Sequence, residues 1–212
     1  MKIGAKLQIG FAVGTVLICI IAVMGLNTAS NLNNSVNDLA LDKFKKVMWA
    51  NNIYNQINSD ARSIRNAIIT EHPELINQEL AKLPAGVKNV ADNLDSLTRT
   101  VVSEEGKKNL EDLKLKRSKF LELRDHTVNL IKQNGVNGVN TEDEVEKILF
   151  TTLRDAQEEY FSAAKLFIVH QSDYFNKTAA QTDIDYNTAF TLILTLAIIA
   201  VLLSISIAFF TT

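Results

Sequence analysis

LQIGFAVGTVLICIIAVMGL, residues 7–26, carries no charge, and AFTLILTLAIIAVLLSISIAFF, residues 189–210, carries none either. About 20 helical residues at 1.5 Å each cross a hydrocarbon core of roughly 30 Å, so each stretch reads as a membrane span. Residues 27–188 between them are polar and helix-patterned. The expected layout is a tail at 1–6, spans at 7–26 and 189–210, a domain at 27–188 and a short end at 211–212. A domain rooted in a membrane at both of its ends suits transmission across that membrane.

Charge orients the spans. Lys2, Lys6 and the α-amino group precede the first, and no acidic residue occurs before Asp38. Excess basic charge marks the cytoplasmic side, which places residues 1–6 and 211–212 inside and 27–188 outside. Lys43, Lys45 and Lys46 dilute this asymmetry, but long domains translocate largely regardless of charge. The rival for 7–26 is a cleaved signal peptide. Its apolar stretch is longer than the usual h-region, and Thr28-Ala29-Ser30 makes a mediocre cleavage site.

Net charge is −2 over 212 residues, which gives no reason to expect nucleic-acid binding. The single cysteine, Cys19, lies inside the first span, so the outer domain has no disulfide and must be held by helix packing. Only two prolines interrupt the chain.

Apolar spacing divides 27–188 into four helices, near 27–71, 73–101, 104–134 and 142–188. On the first, Leu32, Val36, Leu39, Phe44, Val47, Ala50, Tyr54, Ile57, Ala61, Ile64 and Ile68 form one face. His72-Pro73 ends it, and Pro73 suits the first turn of the second. There Ile76, Leu80, Leu83, Val87, Val90, Leu94, Leu97 and Val101 alternate by four and three, as in bundle packing. Pro84-Ala85-Gly86 within this stripe predicts a kink. Ser103-Glu104-Glu105 caps the third helix, Asn134-Gly135 stops it, and Thr141 with Glu144 reads as a capping box for the fourth. The fourth stripe is Val145, Leu149, Thr152, Ala156, Tyr160, Ala163, Phe167, His170 and Tyr174. The fold expected is all-α: an antiparallel up-down-up-down four-helix bundle flanked by two transmembrane helices.

The third helix carries an anomaly. Its stripe reads Leu110, Leu113, Arg117, Phe120, Arg124, Val128, Ile131, and at 100° per residue both arginines fall near the centre of the apolar face. An unpaired buried guanidinium costs several kcal/mol, so negative charge must meet these groups. An internal ion pair supplies it if Glu159 reaches Arg117 and Asp60 reaches Arg124; alternatively the side chains snorkel outward. A carboxylate ligand supplies it too, because planar forks bind carboxylates bidentately.

Depth favours a ligand layer. Counting from the far tip at 1.5 Å per residue, Arg124 and Thr152 lie roughly 15 Å down and Arg62 and Arg65 roughly 9–14 Å down. Pro84 falls at a similar depth, and Arg117 lies a turn or two deeper with Tyr54 and Tyr160. Candidate ligand-binding residues are therefore Arg117, Arg124, Arg65, Thr152, Tyr160, Tyr54 and Arg62. Several have plainer readings: solvated or dimer-contact arginines at 62 and 65, a helix-bonded Thr152, and core tyrosines.

With these parts placed, the whole layout resembles the N-terminal sensory half of a bacterial methyl-accepting chemotaxis receptor of the four-helix-bundle type. Asp60-Ala61-Arg62-Ser63-Ile64-Arg65 resembles the arginine-bearing stretch of its first helix, and Arg117 and Arg124 resemble the third-helix arginines of receptors for di- or tricarboxylates or aromatic acids. Aspartate and serine receptors carry three arginines on the first helix; here there are two at a different spacing. The methylated cytoplasmic coiled coil does not follow the second span, which suggests a truncated receptor or one that signals through a partner.

The resemblance implies an inner-membrane chemoreceptor region with its sensor domain in the periplasm, a small carboxylate ligand, and transmission through the fourth helix and second span. It also implies a homodimer packed through the first helices, with Gly10 and Gly14 as a small-xxx-small pair in the membrane. Cytoplasmic signalling partners are expected only with an output part. Sensor regions of histidine kinases or cyclic-dinucleotide enzymes share the architecture, and a structural role fits if the core arginines are neutralised internally. No enzyme, metal or cofactor is expected. His72, His126 and His170 lie far apart, no Glu-x-x-His pair occurs, and the acidic cluster at Glu142, Asp143, Glu144 and Glu146 suits a helix N-terminus.

Overall fold

The computed structural model describes residues 3–134 and 140–211, and no strand occurs among them. In order come α1 (Ile3–Asp38), a π-helical segment (Leu39–Lys43), α2 (Phe44–Ile69), α3 (Pro73–Leu80), α4 (Leu83–Thr100), α5 (Glu104–Gln133), α6 (Glu142–Phe150) and α7 (Thr152–Thr211). Met1, Lys2, Gly135 and Thr212, used above for tail charge, helix stop and chain end, lie outside the described residues. The chain divides into two compact units, Asp42–Tyr174 on one side and Met1–Leu41 with Phe175–Thr212 on the other.

The Asp42–Tyr174 unit is a bundle of four helical legs: α2, α3 with α4, α5, and α6 with the first part of α7. Ile53, Ile57 and Ile64 of α2, Val90, Leu94 and Leu97 of α4, Leu113 and Phe120 of α5, and Tyr160 and Phe167 of α7 bury into one core. The second-leg stripe holds throughout: Leu80, Leu83, Val90, Leu94, Leu97 and Val101 are buried, and Ile76 and Val87 are half-buried.

Three local departures have physical causes. The kink expected at Pro84-Ala85-Gly86 is instead a break before Pro84. A proline ring clashes with the carbonyl four residues earlier, which is Leu80, and α3 ends at that residue. After the turn at Ala81–Lys82, Pro84 occupies the first turn of α4. The fourth leg breaks at Thr151, where the backbone leaves helical geometry at φ −123° and ψ −98°. The capping box does not form: the Thr141 hydroxyl donates to the Leu130 carbonyl of α5 at 2.8 Å, so it stitches two legs together. Ser103 does cap α5, accepting from the Gly106 amide at 3.2 Å.

In the other unit, Phe11, Leu26, Ile198, Ile205 and Phe209 are exposed. Among the described residues, two helices contain stretches long and apolar enough to cross a membrane. Several of their hydroxyls are satisfied within the helix, as a hydrocarbon surround demands: Thr15 donates to Phe11, Thr195 to Thr191 and Ser204 to Ala200 carbonyls. Within the chain Gly10 faces Ile207, which a Cβ there would strike, while Gly14 has no atom within 4 Å of such a position.

Candidate functional site

The second leg meets the first where α4 lacks a side chain. Gly86 is buried, and a Cβ on it would strike the Gln56 amide and lie 2.7 Å from Asp60 Oδ1. Gln56 and Asp60 stand one turn apart on α2, with Gln56 Nε2 donating to Asp60 Oδ1 at 2.8 Å.

Opposite them α5 presents its two arginines. Arg124 is only 6% exposed. Its Nη1 lies 3.7 Å from Asp60 Oδ2, while Nε donates to Asp125 Oδ1 at 2.9 Å and Nη2 donates to the same oxygen. Arg117 is half-buried and donates from Nη2 to the Val87 carbonyl of α4 at 3.2 Å. Tyr160 of α7 closes the group, its ring 5.8 Å from that of Phe120 between centroids. Arg124 Nη1 and the Tyr160 hydroxyl are buried without a hydrogen-bond partner. A cavity of ≈ 10 Å³ lies among Asp60, Val87, Arg117, Phe120 and Tyr160, about the room of one water.

Burial dominates the ionisation of this cluster. It raises the Asp60 carboxyl above its ordinary value despite the Gln56 hydrogen bond and the charges of Arg124 and Arg117, which pull the other way. Burial likewise pushes the Tyr160 phenol up, against the charge of Arg117, so it stays a neutral donor. The cluster thus holds positive charge, one carboxyl that burial pushes toward its neutral form, and two donors without hydrogen-bond partners. That chemistry suits binding and switching. No group of three or more His, Cys, Asp or Glu side chains placed to hold a metal occurs among the described residues.

The structure brings together Arg117, Arg124 and Tyr160 from the sequence-derived set and leaves the others apart. Thr152 is exposed, because the break at Thr151 turns Leu153 inward in its place. Tyr54 is half-buried against Phe161, with ring centroids 5.0 Å apart. Arg62 and Arg65 are exposed on α2. Of the two internal partners weighed for the arginines, Asp60 does approach Arg124, but Glu159 does not serve Arg117. Glu159 accepts instead from Lys116 and Lys119, at 3.1 and 3.2 Å, and these bonds hold its carboxyl below the ordinary range. Gln56 and Gly86 escaped the sequence reading. The signal for Gln56 was its one-turn spacing from Asp60; Gly86 had been absorbed into the expected kink.

A protein-family model described as a four helix bundle sensory module for signal transduction matches residues 1–189. Comparison with curated proteins and with solved structures yields no match.

Proposed function

Because the chain belongs to the four-helix-bundle sensory modules of signal transduction, we propose that it is the sensor region of a chemotaxis-type receptor. In this reading residues 27–188 face the periplasm of a bacterial cell, between inner-membrane spans at 7–26 and 189–210. The bundle takes a small organic acid, and the signal travels along α7 to the membrane. A ligand moves such an equilibrium only by its differential affinity for the two states.

The observation that carries the ligand class is a pair of exposed guanidiniums without counter-charge. Arg62 and Arg65 sit one turn apart on α2, and neither makes an ion pair among the described residues. The core arginines differ: Arg124 has Asp60 and Asp125, and Arg117 has the Val87 carbonyl. An incoming carboxylate is therefore met at Arg62 and Arg65. A second copy would complete the site, since the same exposed face of α2 carries Phe44, Met48, Asn55, Ser59 and Ile69 with few charges.

The full chain in lipid nanodiscs should bind malate, citrate or benzoate in calorimetric titration. Arg62→Ala and Arg65→Ala should each weaken binding about 10- to 100-fold, the worth of ~1.5–3 kcal/mol for a hydrogen bond to a charged group. Absence of binding by every acid, or binding indifferent to both substitutions, would leave a structural helical bundle in place of a carboxylate sensor.

A further inference from the structure

Asp60 is a buried carboxyl shared between legs of the bundle. It is 6% exposed, and each leg packed against it contributes something to its environment. From its own helix comes the neutral Gln56 amide. From α4 come only backbone and apolar groups, at Gly86, Val87 and Val90. From α5 come Arg124, with Asp125 behind it, and Arg117; from α7 comes the Tyr160 hydroxyl. The Arg124 contact at 3.7 Å is long for a charge-assisted hydrogen bond, and Nη1 has no hydrogen-bond partner. A buried ion pair so poorly closed repays little of what its desolvation costs.

We infer that Asp60 gives this bundle a second stimulus, protons: acidification outside the membrane neutralises its carboxyl, releases Arg124 from it, and changes how α2 rests on α5. The direction follows from burial, which raises the carboxyl above its ordinary value of 3.8. Between that value and the raised one, the folded chain holds a proton that the unfolded chain has lost. Asp60 therefore contributes most to stability in acid, and that contribution falls as pH climbs through this window. Proton uptake is a relaxation of the bundle's core, so it operates in folded protein without unfolding it. It requires no contact with Arg62 or Arg65 and is independent of any carboxylate ligand there.

Trp49, the only tryptophan, packs from α2 against the core and reports on that helix. In the full chain in nanodiscs, its fluorescence should change with a midpoint above 3.8, and Asp60→Asn should abolish the change and hold the acid-form signal at neutral pH. His126 and His170, which face Glu144 and Glu105 outside this cluster, are unaltered in that variant, so the difference isolates Asp60. As a second measurement, the carboxyl ¹³C resonance of Asp60 in aspartate-labelled chain should titrate above 3.8 and shift further upward in Arg124→Gln. A midpoint at or below 3.8, or a fluorescence transition that persists in Asp60→Asn, overturns the inference.

Discussion

At the scale of single residues, close approach at Gly86 decides whether the polar cluster exists. Alanine is the better helix former, so propensity alone would make Gly86→Ala stabilising. Packing opposes it, because the new methyl must displace the Gln56 amide and the Asp60 carboxylate it holds. The Gln56 amide is held to Asp60 by a 2.8 Å hydrogen bond, so displacing it disturbs both side chains. Overpacking of this kind costs about 1–3 kcal/mol, which exceeds the helix-propensity gain, so Gly86→Ala should lower stability in chemical denaturation of the full chain. An unchanged or higher midpoint would show that the Gln56 side chain yields freely. Residue patterning exposed part of this arrangement. The apolar stripe of α5 singled out Arg117 and Arg124, and Asp60 was weighed as the partner of Arg124. What spacing cannot carry is the distance between helices, which here depends on a missing side chain.

Among the elements, helix ends settled by local chemistry were legible and the interruption at Thr151 was not. Pro73 and Ser103 begin helices as their chemistry requires, with fixed φ in one case and a hydroxyl acceptor in the other. The break at Thr151 was hidden, because Leu149, Thr152 and Ala156 keep acceptable helical spacing straight through it. At Thr151 the backbone itself leaves helical geometry, and that shift carries Thr152 from the core side to solvent. The five-residue step from Leu39 to Phe44 in the first stripe did carry a trace of the π segment at Leu39–Lys43. Ser103 offers the direct test of an element end. Its Oγ satisfies the Gly106 amide, one of the donors left over at the start of α5. Ser103→Ala should therefore cost about 0.5–2 kcal/mol, read as a lower denaturation midpoint, whereas no loss would mean that water replaces the cap at no cost.

For the molecule as a whole, the apolar stretches were the most legible feature and the pairing of their surfaces the least. Hydropathy locates membrane helices because backbone polar groups in hydrocarbon must be satisfied within the segment. It is silent on which face meets which, since lipid and neighbouring helix are equally apolar. Small residues are the remaining signal, and Gly10 and Gly14 fit equally a contact between copies or a contact within one chain. The structure separates the two glycines: Gly10 lies against Ile207, while Gly14 borders open space. Leucine at position 10 would push α1 away from the last turns of α7, losing about 1–3 kcal/mol by overpacking. A Cβ at position 14 has no atom of the chain within 4 Å. Thermal unfolding of the full chain in nanodiscs should accordingly show a lower midpoint for Gly10→Leu and none of that loss for Gly14→Leu. Equal losses in both would return the glycine pair to an interface between copies, and with it the membrane part of the homodimer expected from the sequence.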